Sequence, residues 1–119
     1  GWGRIINMSS LAARHGGGNG ATAYAASKGA IIAFTRGLSK EVADQGITVN
    51  AVAPGLILDT PFHETFTDDA GIQGSIDGTP LKRGGTPDDV ANAILYFATD
   101  LGAFTTGEII DINCGMYFA

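Results

Sequence analysis

Hydrophobic positions along the chain form three short apolar runs and two longer periodic segments. The runs are "RIINM" at 4–8, "ITVNAVA" at 47–53 and "EIIDIN" at 108–113, and all three are rich in β-branched residues. Such short runs predict buried strands. The periodic segments lie between them, at about 22–45 and 87–101, and their apolar residues recur as on a helix face.

The boundaries of both predicted helices carry local signals. The first helix begins at Thr22 or Ala23, and Gly46 follows it in the position that favours glycine. The second has Thr86 as N-cap and Pro87 at the first helical position, with acidic residues in its first turn. On the first helix, apolar residues three and four positions apart mark one face: Ile31, Phe34, Leu38 and Val42.

The order of these elements is β-α-β-lid-α-β, which predicts an α/β fold of parallel strands joined by right-handed crossovers. Between the second strand and the second helix, residues 56–85 show no clear period. Excursions of that length inside a compact domain often form lids or binding segments. No repeat or domain boundary interrupts the pattern.

The composition of the chain indicates its size class and limits the kinds of molecule that it could bind. The 119 residues are enough for one domain, and the 18 glycines, scattered along the chain, indicate many tight connections. The net charge is −5 and the only adjacent basic pair is Lys82-Arg83, which argues against nucleic acid. The single cysteine, Cys114, cannot form an internal disulfide, as is typical of a cytoplasmic protein.

No apolar run approaches the length of a membrane span, and no signal peptide opens the sequence. The chain has no initiator Met and enters a strand at once. We therefore expect it to begin midway through a longer pattern.

The stretch "HGGGNGATAYAASKGA" contains two candidate sites. Gly16, Gly18 and Ala21 match the spacing of a dinucleotide-binding turn, but the first strand ends well before them. The acidic residue near the required distance, Glu41, lies inside the helix rather than after a strand. We interpret the glycines as a surface loop beside a substrate crevice.

Tyr24 and Lys28 are four residues apart, so they share one helix face. A phenol normally holds its proton far above neutral pH, and an adjacent ammonium favours the phenolate. Ser10 follows the first strand and Pro54-Gly55 follows the second. Because ligands bind at the carboxyl ends of parallel strands, we expect these groups to meet in one crevice.

These motifs resemble the C-terminal half of the short-chain dehydrogenase/reductase family. The similarity rests on "GRIINMSS", on "YAASKGAIIAFTRGLSKEVADQGITVNAVAPG", on "PLKRGGTPDDVANAILYFATD" and on "TGEIIDINCG", in the family's order. It covers essentially all of residues 1–119 and is closest to bacterial 3-oxoacyl-[acyl-carrier-protein] reductases, enzymes of fatty acid biosynthesis, and to related sugar or alcohol dehydrogenases. It implies one partial Rossmann-type NAD(P)-binding domain, without the N-terminal dinucleotide-binding half.

The resemblance assigns roles by position. Ser10 would hydrogen-bond the substrate carbonyl and Tyr24 would protonate its oxygen, while Lys28 would hold the nicotinamide ribose and assist proton release. The remaining nicotinamide contacts would be Pro54, Gly55, Ile57 and Thr60. Residues from Pro61 to about Thr79 would form the substrate lid.

Two positions depart from the family pattern. Between Pro54-Gly55 and "DTP" at 59–61 this sequence has one residue more than the family pattern, Leu58. Cys114 stands where the family usually has glycine. The segment that selects NADP or NAD is absent, so the resemblance leaves both open. His15 and His63 have no zinc-type spacing with Cys114, and we expect no metal site.

Two hypotheses follow. The chain is the catalytic half of a reductase that acts on a ketone, either a 3-oxoacyl thioester or a sugar or polyol. Alternatively, it is a non-catalytic fragment that keeps the fold core and subunit contacts. A homodimer or homotetramer is expected, because "GMYFA" at the end is apolar and the first helix has small or apolar residues on several faces: Ala25, Ala26, Ala30, Ile32, Ala33 and Phe34.

Overall fold

The computed structural model describes residues 1–62 and 68–119. The strands and helices are β1 (Gly3–Met8), α1 (Ala12–His15), α2 (Thr22–Val42), β2 (Ile47–Pro54), α3 (Asp69–Gly78), α4 (Pro87–Ala98) and β3 (Ile109–Ile112). Single 3₁₀ turns follow α2 at Ala43–Gln45 and α4 at Asp100–Gly102.

The three strands form one parallel sheet in the order β1-β2-β3. The pairing of β1 with β2 runs from Gly3 opposite Ile47 to Met8 opposite Val52. β2 is therefore central, and residues 49–53 within it are buried because helices cover the faces of a parallel sheet. The predicted α/β fold of parallel strands is confirmed.

Helices cover both faces of the sheet. Ala51 and Ala53 pack with Ile32 of α2, whereas Val52 packs with Val90 and Phe97 of α4. Alternate residues of a strand point to opposite faces, so the two helices lie on opposite sides. Phe97 is fully buried, and burial of such a side chain contributes about 1.5–3 kcal/mol.

The face of α2 that packs on the sheet differs from the face predicted by the apolar spacing of Ile31, Phe34, Leu38 and Val42. The buried residues are Ala25, Ile32, Thr35 and Ser39. Phe34, in contrast, is 58% exposed. Thr35 tolerates burial because its hydroxyl donates to the Ile31 carbonyl and accepts from Asn7 Nδ2 of β1. The inner face of α2 therefore combines the apolar Ile32 with polar residues whose hydroxyls are hydrogen-bonded.

The helix ends follow the sequence signals. Gly46 adopts a φ of 73°, the left-handed conformation. At α4, the Thr86 hydroxyl accepts from Asp89 N, and the Asp89 carboxylate accepts from Thr86 N. The Asp89 carboxylate also pairs with Arg83 at 2.9 Å. The Arg83 guanidinium, followed by the Thr86 backbone hydrogen bond, lowers the pKa of Asp89 from 3.8 to about 2.

Two short helices lie in segments that the sequence predicts as loop. α1 has only four residues, too few for a periodic pattern. α3 occupies part of the excursion 56–85 and contains three glycines, which weaken its helical signal. Its N-cap is Asp68, whose carboxylate accepts from Gly71 N. Part of the predicted lid, including His63, lies outside the described residues. None of the described helices is long and apolar enough to cross a membrane.

Candidate active site

The carboxyl ends of β1 and β2 open into a cleft of about 780 Å³. All of the residues that the sequence proposes for catalysis or cofactor binding line it: Ser10, Tyr24, Lys28, Pro54, Gly55, Ile57 and Thr60. They come from three segments separated in sequence, at residue 10, residues 24–28 and residues 54–60, and the parallel sheet brings them to one edge.

The two serines after β1 have different surroundings. Ser9 is buried, and its hydroxyl donates to the Lys28 carbonyl at 2.8 Å, which ties the strand to α2. The Ser10 hydroxyl accepts from Ala12 N at 3.1 Å. Its own proton therefore remains available for a ligand, because a hydroxyl both accepts and donates. Ser9 is structural, and Ser10 is the serine able to hydrogen-bond a substrate.

Tyr24 and Lys28 lie together on α2. The Lys28 ammonium donates to the Met8 carbonyl at 3.1 Å and lies 5.7 Å from the centre of the Tyr24 ring. The Tyr24 ring also packs against Phe62, with centroids 6.2 Å apart. Within the described ranges the Tyr24 hydroxyl has no hydrogen-bond partner. The Tyr24 ring is thus held by neighbouring side chains while its hydroxyl lines the cleft.

The turn after β2 forms the opposite wall. The Pro54 carbonyl accepts from Leu11 N, and Gly55 N donates to the Ile112 carbonyl, so this turn bridges β1 and β3. A Cβ on Gly55 would lie 3.0 Å from Asn113 Cβ. The close approach explains the glycine. Ile57 beyond it forms an isolated bridge with Gly85.

The glycine loop borders the same cleft as a folded turn. Gly16, Gly17 and Gly20 have positive φ angles, and Gly16 N donates to the Ala12 carbonyl to end α1. Gly17 and Gly18 line the cleft. The interpretation as a surface loop beside the crevice is consistent with this position.

Sequence reasoning missed two contributions to the site. The first is α4, whose first eight residues line the cleft with Pro87, Val90, Ala91 and Ile94. The spacing of Val90 and Ile94 marks an inner helix face, but it does not show which cavity that face meets.

The second is an ion pair between Arg14 of α1 and Asp111 of β3. Arg14 Nε and an Arg14 terminal nitrogen donate to the two Asp111 oxygens, each at 3.1 Å. The side chains are only 12% and 19% exposed. The pair anchors α1, and with it the turn that carries Ser10, to the sheet.

A smaller cavity of about 300 Å³ lies beside β3 and is partly lined by Asp111, Arg83 and Cys114. Cys114 has a φ of 58°, which is the left-handed region that favours glycine. Its sulfur accepts from Leu81 N at 3.3 Å. Among the described residues, no group of three or more His, Cys, Asp or Glu side chains is arranged to hold a metal ion.

Comparison with known proteins gives consistent matches over the length of the chain. The family model described as "Enoyl-(Acyl carrier protein) reductase" matches residues 1–117. The chain is 43% identical over 117 residues to 3-oxoacyl-[acyl-carrier-protein] reductase FabG of Escherichia coli K12, covering 97% of this chain and 46% of that protein. It is 41% identical over 118 residues to nodulation protein G of Azospirillum brasilense, covering 99% and 47%.

A solved structure matches the fold with a TM-score of 0.89. It is a short-chain dehydrogenase/reductase from Brucella melitensis, described as a glucose/ribitol dehydrogenase, with 37% identity. The match covers 97% of this chain and 45% of the solved chain. The chain therefore spans about half the length of the relatives it matches.

Proposed function

Because the chain belongs to the short-chain dehydrogenase/reductase family, we propose that it carries the catalytic residues of an oxidoreductase. The reaction is hydride transfer from NADPH or NADH to a ketone, or in reverse from a secondary alcohol to NADP⁺ or NAD⁺. The observation that carries the proposal is the convergence of Ser10, Tyr24 and Lys28 with the Pro54-Gly55 turn around one cleft.

In the reducing direction, the Ser10 hydroxyl donates a hydrogen bond to the substrate carbonyl oxygen, keeps its own proton, and fixes the orientation of the carbonyl. Tyr24 then gives its phenolic proton to the same oxygen as negative charge develops there. Lys28 lies close enough to the Tyr24 ring for its positive charge to stabilise the phenolate that remains. The hydrogen bond from Lys28 to the Met8 carbonyl orients the ammonium while leaving it further protons to donate.

The cleft fits the nicotinamide end of the cofactor. Its volume of about 780 Å³ is within the range of roughly 300–1,000 Å³ usual for ligand pockets. Pro54 and Ile57 offer an apolar surface for a ring, the Thr60 hydroxyl suits a carboxamide, and Lys28 suits ribose hydroxyls. When bound, the nicotinamide supplies or accepts the hydride.

The proposed substrate is a 3-oxoacyl thioester, because several relatives of about 40% identity are named 3-oxoacyl-[acyl-carrier-protein] reductase. A sugar or polyol is the second candidate, favoured by the solved relative described as a glucose/ribitol dehydrogenase. Turnover of acetoacetyl-CoA with NADPH, measured beside oxidation of ribitol with NAD, distinguishes the two. Ribitol oxidation without thioester reduction would overturn the first assignment.

A non-catalytic role for the isolated 119 residues is the alternative. One argument for it is that the chain covers only 46% of the length of 3-oxoacyl-[acyl-carrier-protein] reductase FabG of Escherichia coli K12. The other is that β1 has a strand on one side only in the described ranges, which leaves one edge of the sheet unpaired there. The experiment is an intact mass of the protein together with a fluorescence titration by NADPH. Saturable NADPH binding by the 119-residue chain would support an active enzyme. A mass of 119 residues without NADPH binding would refute it.

We further propose a cytoplasmic homodimer or homotetramer. The exposed Phe34 and the small residues around it give α2 an outer face suited to a subunit contact. Light scattering of the native protein and of a Phe34→Glu variant tests this. The variant is expected to dissociate, and an unchanged mass would exclude α2 as the interface.

A further inference from the structure

His15 is a polar side chain at the cleft that the proposed reaction does not use. It is the last residue of α1, it is exposed, and it lines the same cleft as Ser10 and Tyr24. α1 is itself anchored to β3 by the Arg14–Asp111 pair. The imidazole therefore projects from a fixed part of the rim.

The hydrogen bonding of His15 defines which nitrogen carries the proton. Its Nδ1 accepts from Gly17 N at 3.0 Å. A neutral imidazole has one N–H, so with Nδ1 as acceptor the proton is on Nε2. The ring also makes an edge contact with Tyr117, with centroids 6.3 Å apart. Nε2–H has no partner in the parts of the chain that the structure describes.

Two other donors in the cleft, the Thr60 hydroxyl and the Lys28 ammonium, contact the cofactor in the proposed function. The cleft-lining residues of α4 are apolar, as are Leu11 and Leu56. Ser75 of α3 also lines the cleft, but its hydroxyl donates to the Gly71 carbonyl. A substrate oxygen away from the reacting carbonyl would therefore find the His15 Nε2–H as a neutral donor.

We infer that His15 is a specificity-determining residue that hydrogen-bonds a second acceptor oxygen of the substrate. This inference rests on the proposed function and deepens it. The substrate class is a ketone that also bears an ester, thioester or amide carbonyl, and a simple ketone lacks the group that His15 recognises.

The test compares ethyl acetoacetate with 2-hexanone, a ketone without the second carbonyl. The measured quantity is the ratio of their kcat/KM values at pH 8, with NADPH, in whichever polypeptide proves active, this chain or a longer one containing it. His15→Phe is expected to lower the ratio by about 3- to 10-fold, as for loss of one neutral hydrogen bond. His15→Gln, which keeps an N–H donor, is expected to retain most of it. Asn19→Ala, an exposed substitution in the same loop, is the control. An unchanged ratio in His15→Phe would overturn the inference.

A second measurement does not depend on turnover. Imidazole ¹⁵N spectra of the labelled 119-residue chain report which nitrogen of His15 is protonated, before and after titration with ethyl acetoacetate. Protonation at Nε2, with a shift of that signal on titration, supports the inference. Protonation at Nδ1, or no shift on titration, overturns it. If neither ketone is reduced and ribitol is not oxidised, the proposed function fails, and the spectra still decide the role of His15.

Discussion

The Arg14–Asp111 ion pair gives a prediction that links the stability of the fold to the position of Ser10. Asp111→Asn keeps the size of the side chain but removes its charge and one of the two oxygens that accept from Arg14. Arg14 stays charged and mostly shielded from solvent, because only 12% of its side chain is exposed. Breaking a fully buried pair costs about 3–5 kcal/mol, and a hydrogen bond to a charged group contributes about 1.5–3 kcal/mol.

The pair is not fully buried and Asn retains one acceptor, so we expect a loss of about 2–3 kcal/mol in the free energy of unfolding. Urea denaturation followed by circular dichroism measures it. Asp100→Asn, an exposed carboxylate, is the matched control and should change stability by less than about 0.5 kcal/mol.

The double variant Arg14→Met/Asp111→Leu separates loss of the charges from loss of the contact. It should recover much of the stability, because no uncompensated charge remains. A loss below about 0.5 kcal/mol in Asp111→Asn would refute the reasoning, since it would mean that solvent already compensates the Arg14 charge.

Three further predictions concern backbone and charge. Gly55→Ala should destabilise the fold by about 1–3 kcal/mol, because its Cβ would lie 3.0 Å from Asn113. Gly29→Ala in α2, with open space around it, is the control and should raise the free energy of unfolding by about 0.5–1 kcal/mol in urea denaturation. Equal changes in the two variants would contradict the predicted clash between a Cβ at position 55 and Asn113. Cys114→Gly should raise the thermal midpoint by relieving a φ of 58°, and a lower midpoint would show that the sulfur contact outweighs the strain. The pKa of Asp89 is lowered to about 2, so the ionised carboxylate stabilises the folded state above about pH 5 and this stabilisation is lost as the pH falls toward 2. The difference in free energy of unfolding between wild type and Asp89→Asn should therefore shrink from about pH 5 to about pH 2. A difference that does not change with pH would contradict the lowered pKa of Asp89.

The core of the site could be predicted from sequence because its geometry is local or topological. Tyr24 and Lys28 share a helix face by their spacing, and Ser10 and Pro54 meet because parallel strands end at one edge. Their catalytic and cofactor roles remain predictions drawn from the family resemblance. The signals at Gly46 and Thr86 could also be predicted, because both depend only on residues close in sequence: the left-handed conformation of Gly46 and the contacts of Thr86 with Asp89.

Features that depend on contacts distant in sequence could not be predicted. Arg14 and Asp111 are 97 positions apart, and neither has a local pattern that suggests the other. Phe34 continues the apolar spacing of α2 and is nevertheless exposed, whereas the neighbouring Thr35 is buried and hydrogen-bonds to Asn7 of β1. The contribution of α4 to the cleft likewise depends on how that helix packs against the rest of the fold, and this packing cannot be predicted from the sequence of the helix alone.

The most direct test of the account is Tyr24→Phe beside Tyr96→Phe. The two residues have similar exposure, but the Tyr96 hydroxyl bonds Thr105 and does not line the cleft. With NADPH and acetoacetyl-CoA, Tyr24→Phe should lower kcat by at least about 100-fold, as expected for loss of a general acid, and Tyr96→Phe should stay within about twofold. Tyr24→Phe activity within about threefold of the wild type would contradict the assignment of Tyr24 as the proton donor.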